Sequence, residues 1–238
     1  MKPVAIFRHS AIEGPGYFAI FLEQQGIPWR LIAVDQNETI PHSADQFSGL
    51  CFMGGPMSVN DPFPWIDQVT TLIRQAAEQN IPVIGHCLGG QLISKALGGK
   101  ITANPIKEIG WGHITPTTNE ATKHWLGDFA NHSVSVFHWH GETFSLPKGA
   151  SHLMTNAHCT HQMFALGPHL AMQCHVEMTP ELVTQWSKHW DEETHSVINR
   201  IAIQTPEQML QEIEQHLPVM RQLADQLYST WTQGLSRC

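Results

Sequence analysis

The sequence predicts an α/β protein, a mostly parallel sheet with helices packed on both faces. Two observations carry that prediction. Short apolar runs alternate with stretches of helical spacing through the first hundred residues, the order that builds a covered parallel sheet. One of these runs also passes directly into a helix through a turn with glycine on either side of a cysteine, Gly85-His86-Cys87-Leu88-Gly89.

The elements follow in order. Residues 4–7 form a strand, 17–25 a helix stopped by Gly26, and 29–34 a second strand. Residues 50–53 form a third strand, ending at Gly54-Gly55-Pro56. Residues 65–79 place Ile66, Val69, Ile73 and Ala77 on one helical face. A strand over 81–84 and a helix over 88–97 follow, with Gly98-Gly99 closing the helix. Beyond residue 100 the texture changes to short β-like runs at 112–115, 133–137, 162–166 and 170–174, which complete or decorate the sheet. In the tail, Leu210, Ile213, Leu217, Met220, Ala224, Leu227 and Trp231 fall three and four apart and draw one apolar stripe along a helix. Pro218 interrupts the stripe, so a kink or two consecutive helices is expected. Packing on the parent domain is the expected use of the stripe, and a dimer or partner contact is the alternative. The organisation expected is one domain over residues 1–190 with a helical extension, 191–238, packed on it.

The chain has 238 residues, 42% of them hydrophobic, enough to bury a sizeable core. Thirteen Lys and Arg stand against 21 Asp and Glu, a net charge of −8. Nucleic acids and anionic membrane surfaces attract concentrated positive charge, so neither is an expected partner. No apolar run approaches the ~20 residues that span a bilayer. The N-terminus turns polar by Arg8, too early for a secretory signal. Five cysteines, at 51, 87, 159, 174 and 238, are odd in number and widely spaced, which points to free thiols in a reducing cytoplasm.

The chemistry begins at the glycine-flanked turn. A strand entering a helix through Gly-x-Cys-x-Gly is the cysteine form of a nucleophile elbow. The central residue adopts a strained backbone, and the glycines let neighbouring chain approach without a Cβ clash. Cys87 then projects from the top of the sheet at a helix N-terminus, which favours an anion. The alternative is a structural cysteine in a glycine-rich turn. Attack on an acyl carbon also needs donors for the oxyanion. The N–H of Leu88 is one, and the loop Gly54-Gly55-Pro56-Met57-Ser58 supplies a second, although such a loop is by itself an ordinary turn. In Gln173-Cys174-His175-Val176-Glu177, His175 and Glu177 stand two apart on one strand face, as a base and the carboxylate that orients it. On that reading activity falls below roughly pH 6 as the imidazole protonates.

Together the motifs Gly54-Gly55-Pro56-x-Ser58, Gly85-x-Cys87-x-Gly89-x-Gln91 and His175-x-Glu177 resemble the class I (triad) glutamine amidotransferase domain, in order and spacing, over about residues 3–190. The segments 108–111 (Glu-Ile-Gly-Trp) and 138–143 (His-Trp-His-Gly-Glu-Thr) resemble stand-alone members related to the glutaminase part of GMP synthase. The resemblance implies a flavodoxin-like fold and attack of Cys87 on the glutamine side-chain amide. Ammonia would leave, and a γ-glutamyl thioester would be hydrolysed. It implies His175 as acid and base, Glu177 as its orienter, and Gly55 and Leu88 amides as the oxyanion hole. Gly54, Gln91, Trp139, His140 and Gly141 would hold the substrate, glutamine or another γ-glutamyl compound. A separate synthetase subunit bearing the ammonia acceptor is the implied partner, and no cofactor is implied. Val176 stands where many relatives have proline, which leaves the catalytic side chains in place. No counterpart of the ATP-pyrophosphatase part is seen, so this chain alone is not expected to make GMP. The tail after about 190 lies outside the minimal glutaminase fold.

Three other readings stand beside this one. A γ-glutamyl peptidase would use the same thioester chemistry on γ-glutamyl peptides or glutathione conjugates. A silent binding or regulatory module would keep the fold without the reaction, but has no need for Cys87, His175 and Glu177 together. Stress proteins with an elbow cysteine place histidine directly after it, where Leu88 stands here. The sixteen histidines, notably His138, His140 and those of His158-Cys159-Thr160-His161, invite a metal. The spacing lacks a second close pair of ligands, so no metal is expected. No Walker or dinucleotide glycine motif appears.

Overall fold

In the computed structural model, which describes residues 1–194, 197 and 200–236, β1 (Val4–Arg8) is buried on both sides. Val4 and Ile6 join one core and Ala5 and Phe7 the other. Successive side chains of a strand point to opposite faces, so a strand covered twice must be apolar throughout. α1 (Gly16–Gln24), β2 (Trp29–Ala33), β3 (Gly49–Phe52), α2 (Pro64–Glu78), β4 (Val83–His86) and α3 (Leu88–Ala96) follow. β1 pairs in parallel with β2 and β3, and β3 with β4.

The next elements are β5 (Ile101–Pro116), α4 (Glu120–Leu126), β6 (Val134–Phe144), β7 (Ser151–Thr155), β8 (Met163–Leu166) and β9 (His169–Met172). β9 returns beside β4 in parallel, with Ile84 opposite Leu170. The strand order is β2-β1-β3-β4-β9-β8-β7-β5-β6, a parallel centre continued by antiparallel strands. The expected α/β class is the class observed. The expected short strands at 112–115 and 133–137 are the ends of a longer ribbon, in which β5 and β6 pair with an irregularity between Ala103 and Glu108. The first half of β5 mixes exposed and half-buried residues, so it carries no apolar alternation to read. β7 escaped notice for a similar reason, since only Leu153 and Met154 in it are buried.

The chain ends with α5 (Pro180–Ser187), α6 (Trp190–Thr194), α7 (Pro206–Gln211) and α8 (Ile213–Thr232). Two consecutive helices do occur in the tail, but the break falls at Glu212, and Pro218 lies inside α8. Pro218 has no N–H for the Glu214 carbonyl, and α8 continues through it. Leu217, Met220, Ala224, Leu227 and Trp231 are buried, with Phe18 and Phe21 of α1 edge-on to Tyr228 at 4.9 and 5.4 Å. Leu210, on α7, is exposed. No helix among the described residues is long and apolar enough to cross a membrane. Cys51, Cys87, Cys159 and Cys174 are free thiols, and Cys238 lies outside the described residues.

Candidate active site

β4 hands over to α3 at Cys87, whose backbone angles are φ 50° and ψ −108°. A non-glycine residue at positive φ is strained, by about 1–3 kcal/mol, and persists only where its surroundings enforce it. Two contacts enforce it here. The Cys87 N–H donates to the Met172 carbonyl at 2.8 Å, tying the turn to the end of β9. A Cβ on Gly89 would collide with the Phe52 carbonyl, so glycine lets α3 press against the end of β3.

Beyond β9 the chain bends at Gln173 and Cys174, and His175 bridges to Phe137 of β6 through reciprocal backbone bonds of 2.8 and 3.2 Å. The His175 Nδ1 lies 2.6 Å from the Glu177 Oε1. Nε2 is buried with no hydrogen-bond partner, on the ring whose charge is coupled to that of Cys87. Trp186 covers the imidazole edge-on at 4.8 Å. The Glu177 backbone is fixed too, because its carbonyl accepts the Tyr17 N–H at 2.8 Å. Gly16, at φ +49°, lets that carbonyl come close, where any Cβ would strike it.

Burial alone would lower the His175 pKa. The Glu177 carboxylate, the charge of a Cys87 thiolate and the hydrogen bond to Glu177 outweigh it and hold the pKa well above the usual 6.5. Burial would likewise raise Glu177, but His175, His86 and the hydrogen bond to His175 bring it down to about 2. An ionised carboxylate therefore faces an imidazolium in the neutral range. Raised in this way, His175 titrates above the roughly pH 6 of a free imidazole.

A cavity of about 240 Å³ opens over Cys87. Of the residues expected at the site, Gly55, Cys87, Leu88, Gln91, Trp139, His140, Gly141 and His175 line it. Leu88 is the first residue of α3, so its N–H has no acceptor within the helix. Gly54 and Glu177 stand behind the wall, Glu177 against the far side of the His175 ring and Gly54 close to Glu13 and His175. The Cys87 thiol donates to the Trp139 carbonyl at 3.7 Å. Gln91 donates through Nε2 to the Gln173 Oε1 at 3.1 Å, and Gln173 in turn donates to the Cys87 Sγ at 3.6 Å. Sequence reasoning passed over Gln173 as a site residue, although it stands two before His175.

Glu13, Lys107, Trp186 and His189 were also missed and line the same cavity, beside Glu142 of the expected 138–143 segment. The Ser58 hydroxyl donates to Glu142 at 3.0 Å, joining the 54–58 loop to β6. Below this wall, Glu108, His140 and Cys159 bring one ligand-type atom each within 4.8 Å of one another. All three are engaged within the protein. Glu108 lies 3.0 Å from the His140 Nε2 and accepts from Asn156 and Gln162. The Cys159 Sγ is bonded to Thr143 and to the His161 carbonyl. Burial pushes the Cys159 thiol up to about 11, which disfavours the thiolate that a metal requires. The cluster reads as a brace for the 138–142 segment.

The family model described as glutamine amidotransferase class-I matches residues 22–186. The chain belongs to the class-I glutamine amidotransferase family. A glutamine amidotransferase-like protein of Salmonella typhimurium is 33% identical over 191 residues, 78% of this chain and 80% of that protein. Gamma-glutamyl peptidase 3 of Arabidopsis thaliana is 28% identical over 177 residues, 71% of each chain. The crystal structure of a glutamine amido transferase from Methylobacillus flagellatus matches with a TM-score of 0.95 at 37% identity, covering 100% of this chain and 97% of that one. That match takes in the tail helices as well as the α/β core.

Proposed function

We propose that this protein hydrolyses the side-chain amide of glutamine through a γ-glutamyl thioester on Cys87, releasing glutamate and ammonia. The observation that carries this is Cys87 on a strained elbow, sharing one cavity with His175, which is paired with the buried Glu177. Cys87 reacts as the thiolate, its proton held on His175, and the sulfur attacks the amide carbon. The N–H groups of Gly55 and Leu88 receive the charge that forms on the oxygen. The imidazolium then gives its proton to the departing ammonia, and a water deprotonated by His175 cleaves the thioester. Gln91 and residues 139–141 seat the substrate, and Gly54 holds the 54–58 loop in place. A separate synthetase subunit consumes the ammonia, and the free thiols suit the cytoplasm.

A second reading, a γ-glutamyl peptidase, is favoured by the similarity to the Arabidopsis enzyme of that name. The two readings share the thioester and differ in the leaving group. Glutamate release is measured with glutamine and with a γ-glutamyl dipeptide, for wild type and Cys87→Ala. Release from glutamine that is lost in the variant supports the first reading, and cleavage of the dipeptide alone supports the second. Equal rates with and without the thiol would overturn both.

A further inference from the structure

The second oxygen of Glu177 opens a question that the triad leaves unanswered. Oε1 is bonded to His175, but Oε2 is fully buried and has no hydrogen-bond partner. A buried carboxylate oxygen without a donor is costly, and its neighbours decide whether the carboxylate stays aligned. The His86 Nε2 lies 3.9 Å from it, and both side chains are almost wholly buried. The same Nε2 lies 2.9 Å from the hydroxyl of Tyr228, at the core-facing side of α8.

We propose that Tyr228 and His86 are positioning residues for the His175–Glu177 pair, so that the C-terminal helix α8 takes part in setting the reactivity of Cys87. The proposal rests on Cys87 being the nucleophile paired with His175. The hydrogen bond shared by the Tyr228 hydroxyl and the His86 Nε2, with the bond of the same ring to the Phe52 backbone, fixes the imidazole. Held there, the ring keeps its Nε2 edge beside Oε2 and limits how far the Glu177 carboxylate can turn. The Phe18 and Phe21 rings pack on Tyr228 and hold the phenol in place. Burial keeps His86 neutral, so the support is positional and Glu177 keeps its full charge for His175.

Other titratable groups face this cluster, and none supplies the missing donor. Cys51 of β3 lies 4.0 Å from the His86 Nδ1, on the other side of that ring. Cys174 lies in the Glu177 segment, and burial keeps both thiols protonated. Tyr17 of α1 donates to Asp225, with Arg221 over its ring. His175 already holds the first oxygen.

The test is the pH dependence of Cys87 alkylation by iodoacetamide, read on the peptide that contains Cys87. It reports the thiolate directly and needs no turnover, so it separates this proposal from the identity of the substrate. Tyr228→Phe removes one oxygen and keeps the ring. A less firmly held Glu177 raises the His175 pKa less, so the thiolate forms at higher pH. The alkylation midpoint should rise by about half a unit or more, and where turnover is measurable, kcat should fall with KM unchanged. His86→Gln, which keeps an amide N–H near the same place, should stay closer to wild type than His86→Leu. Leu227→Ala, a packing change on the same helix, should lower Tm without moving the midpoint. A Tyr228→Phe profile superimposed on wild type would overturn the proposal. So would an equal shift in Leu227→Ala, which would make the effect one of general packing.

Discussion

Residues 1–100 and residues 101–236 supply the same cavity by different means. In the first part, β3 and β4 end at the sheet edge and the turns that follow carry the chemistry in place. Gly55 and Cys87 reach the cavity because of backbone angles and close approaches a few residues away. In the second part, position is set at long range. His175 depends on its bridge to Phe137, and the wall over Cys87 depends on a β5–β6 ribbon braced by Glu108 and His140. The nucleophile is thus fixed by local strain, and the base and substrate wall by tertiary contacts. Damage to the first part should abolish chemistry outright, whereas damage to the second should grade it.

The largest effect that sharpens this contrast is at the base. His175→Ala should lower glutamate release by about a thousandfold, because nothing else at the elbow takes the thiol proton. Glu177→Gln should cost less, about ten- to a hundredfold, since the imidazole remains and only its charge partner is lost. Steady-state kinetics on folded variants check both. Equal losses would mean that the carboxylate has a role beyond orienting the ring.

A smaller effect lies in stability against pH. Burial lowers His9, in the first part, and His138 and His169, in the second, to about 4. In the unfolded chain each returns to about 6.5. Such groups are neutral when folded, so protons favour the unfolded chain and stability falls as pH drops from 6.5 toward 4. His175 has the opposite sign: its contribution is complete below 6.5 and is lost as pH rises through its elevated folded value. The Tm should therefore fall on acidification through that window, and His138→Gln should flatten the fall. A Tm constant from pH 7 to 4 would contradict the burial of these rings.

The smallest effect concerns the tail. Pro218→Ala returns an N–H to the second turn of α8, and Tm should rise by roughly a few degrees with activity unchanged. A fall in Tm would mean that the proline ring itself is packed productively.

The same contrast explains what could be read in advance. The first-half strands were legible as short apolar runs and the helices by their apolar spacing, and each stands within two residues of its expected place. The elbow was legible because positive φ and close approach leave glycines in the sequence. His175 and Glu177 were legible only alongside the elbow, since sixteen histidines make chance pairs common. The outer half of β5, the Gln91–Gln173 link and the Tyr228–His86 contact were not legible. Their partners lie 82 and 142 residues apart in the last two cases, and no local pattern encodes that proximity. The break between the two tail helices falls at Glu212, a position that no proline or glycine marks.

The central claim is covalent, and the most direct measurement is covalent too. Wild type mixed with glutamine and quenched in acid within the first turnovers is digested, and its peptides are weighed. The peptide containing Cys87 should carry the mass of one γ-glutamyl group, absent from Cys87→Ala and increased in Glu177→Gln if thioester hydrolysis is the slower step. Glutamate release with no adduct on Cys87, or with the adduct on another residue, would contradict the account.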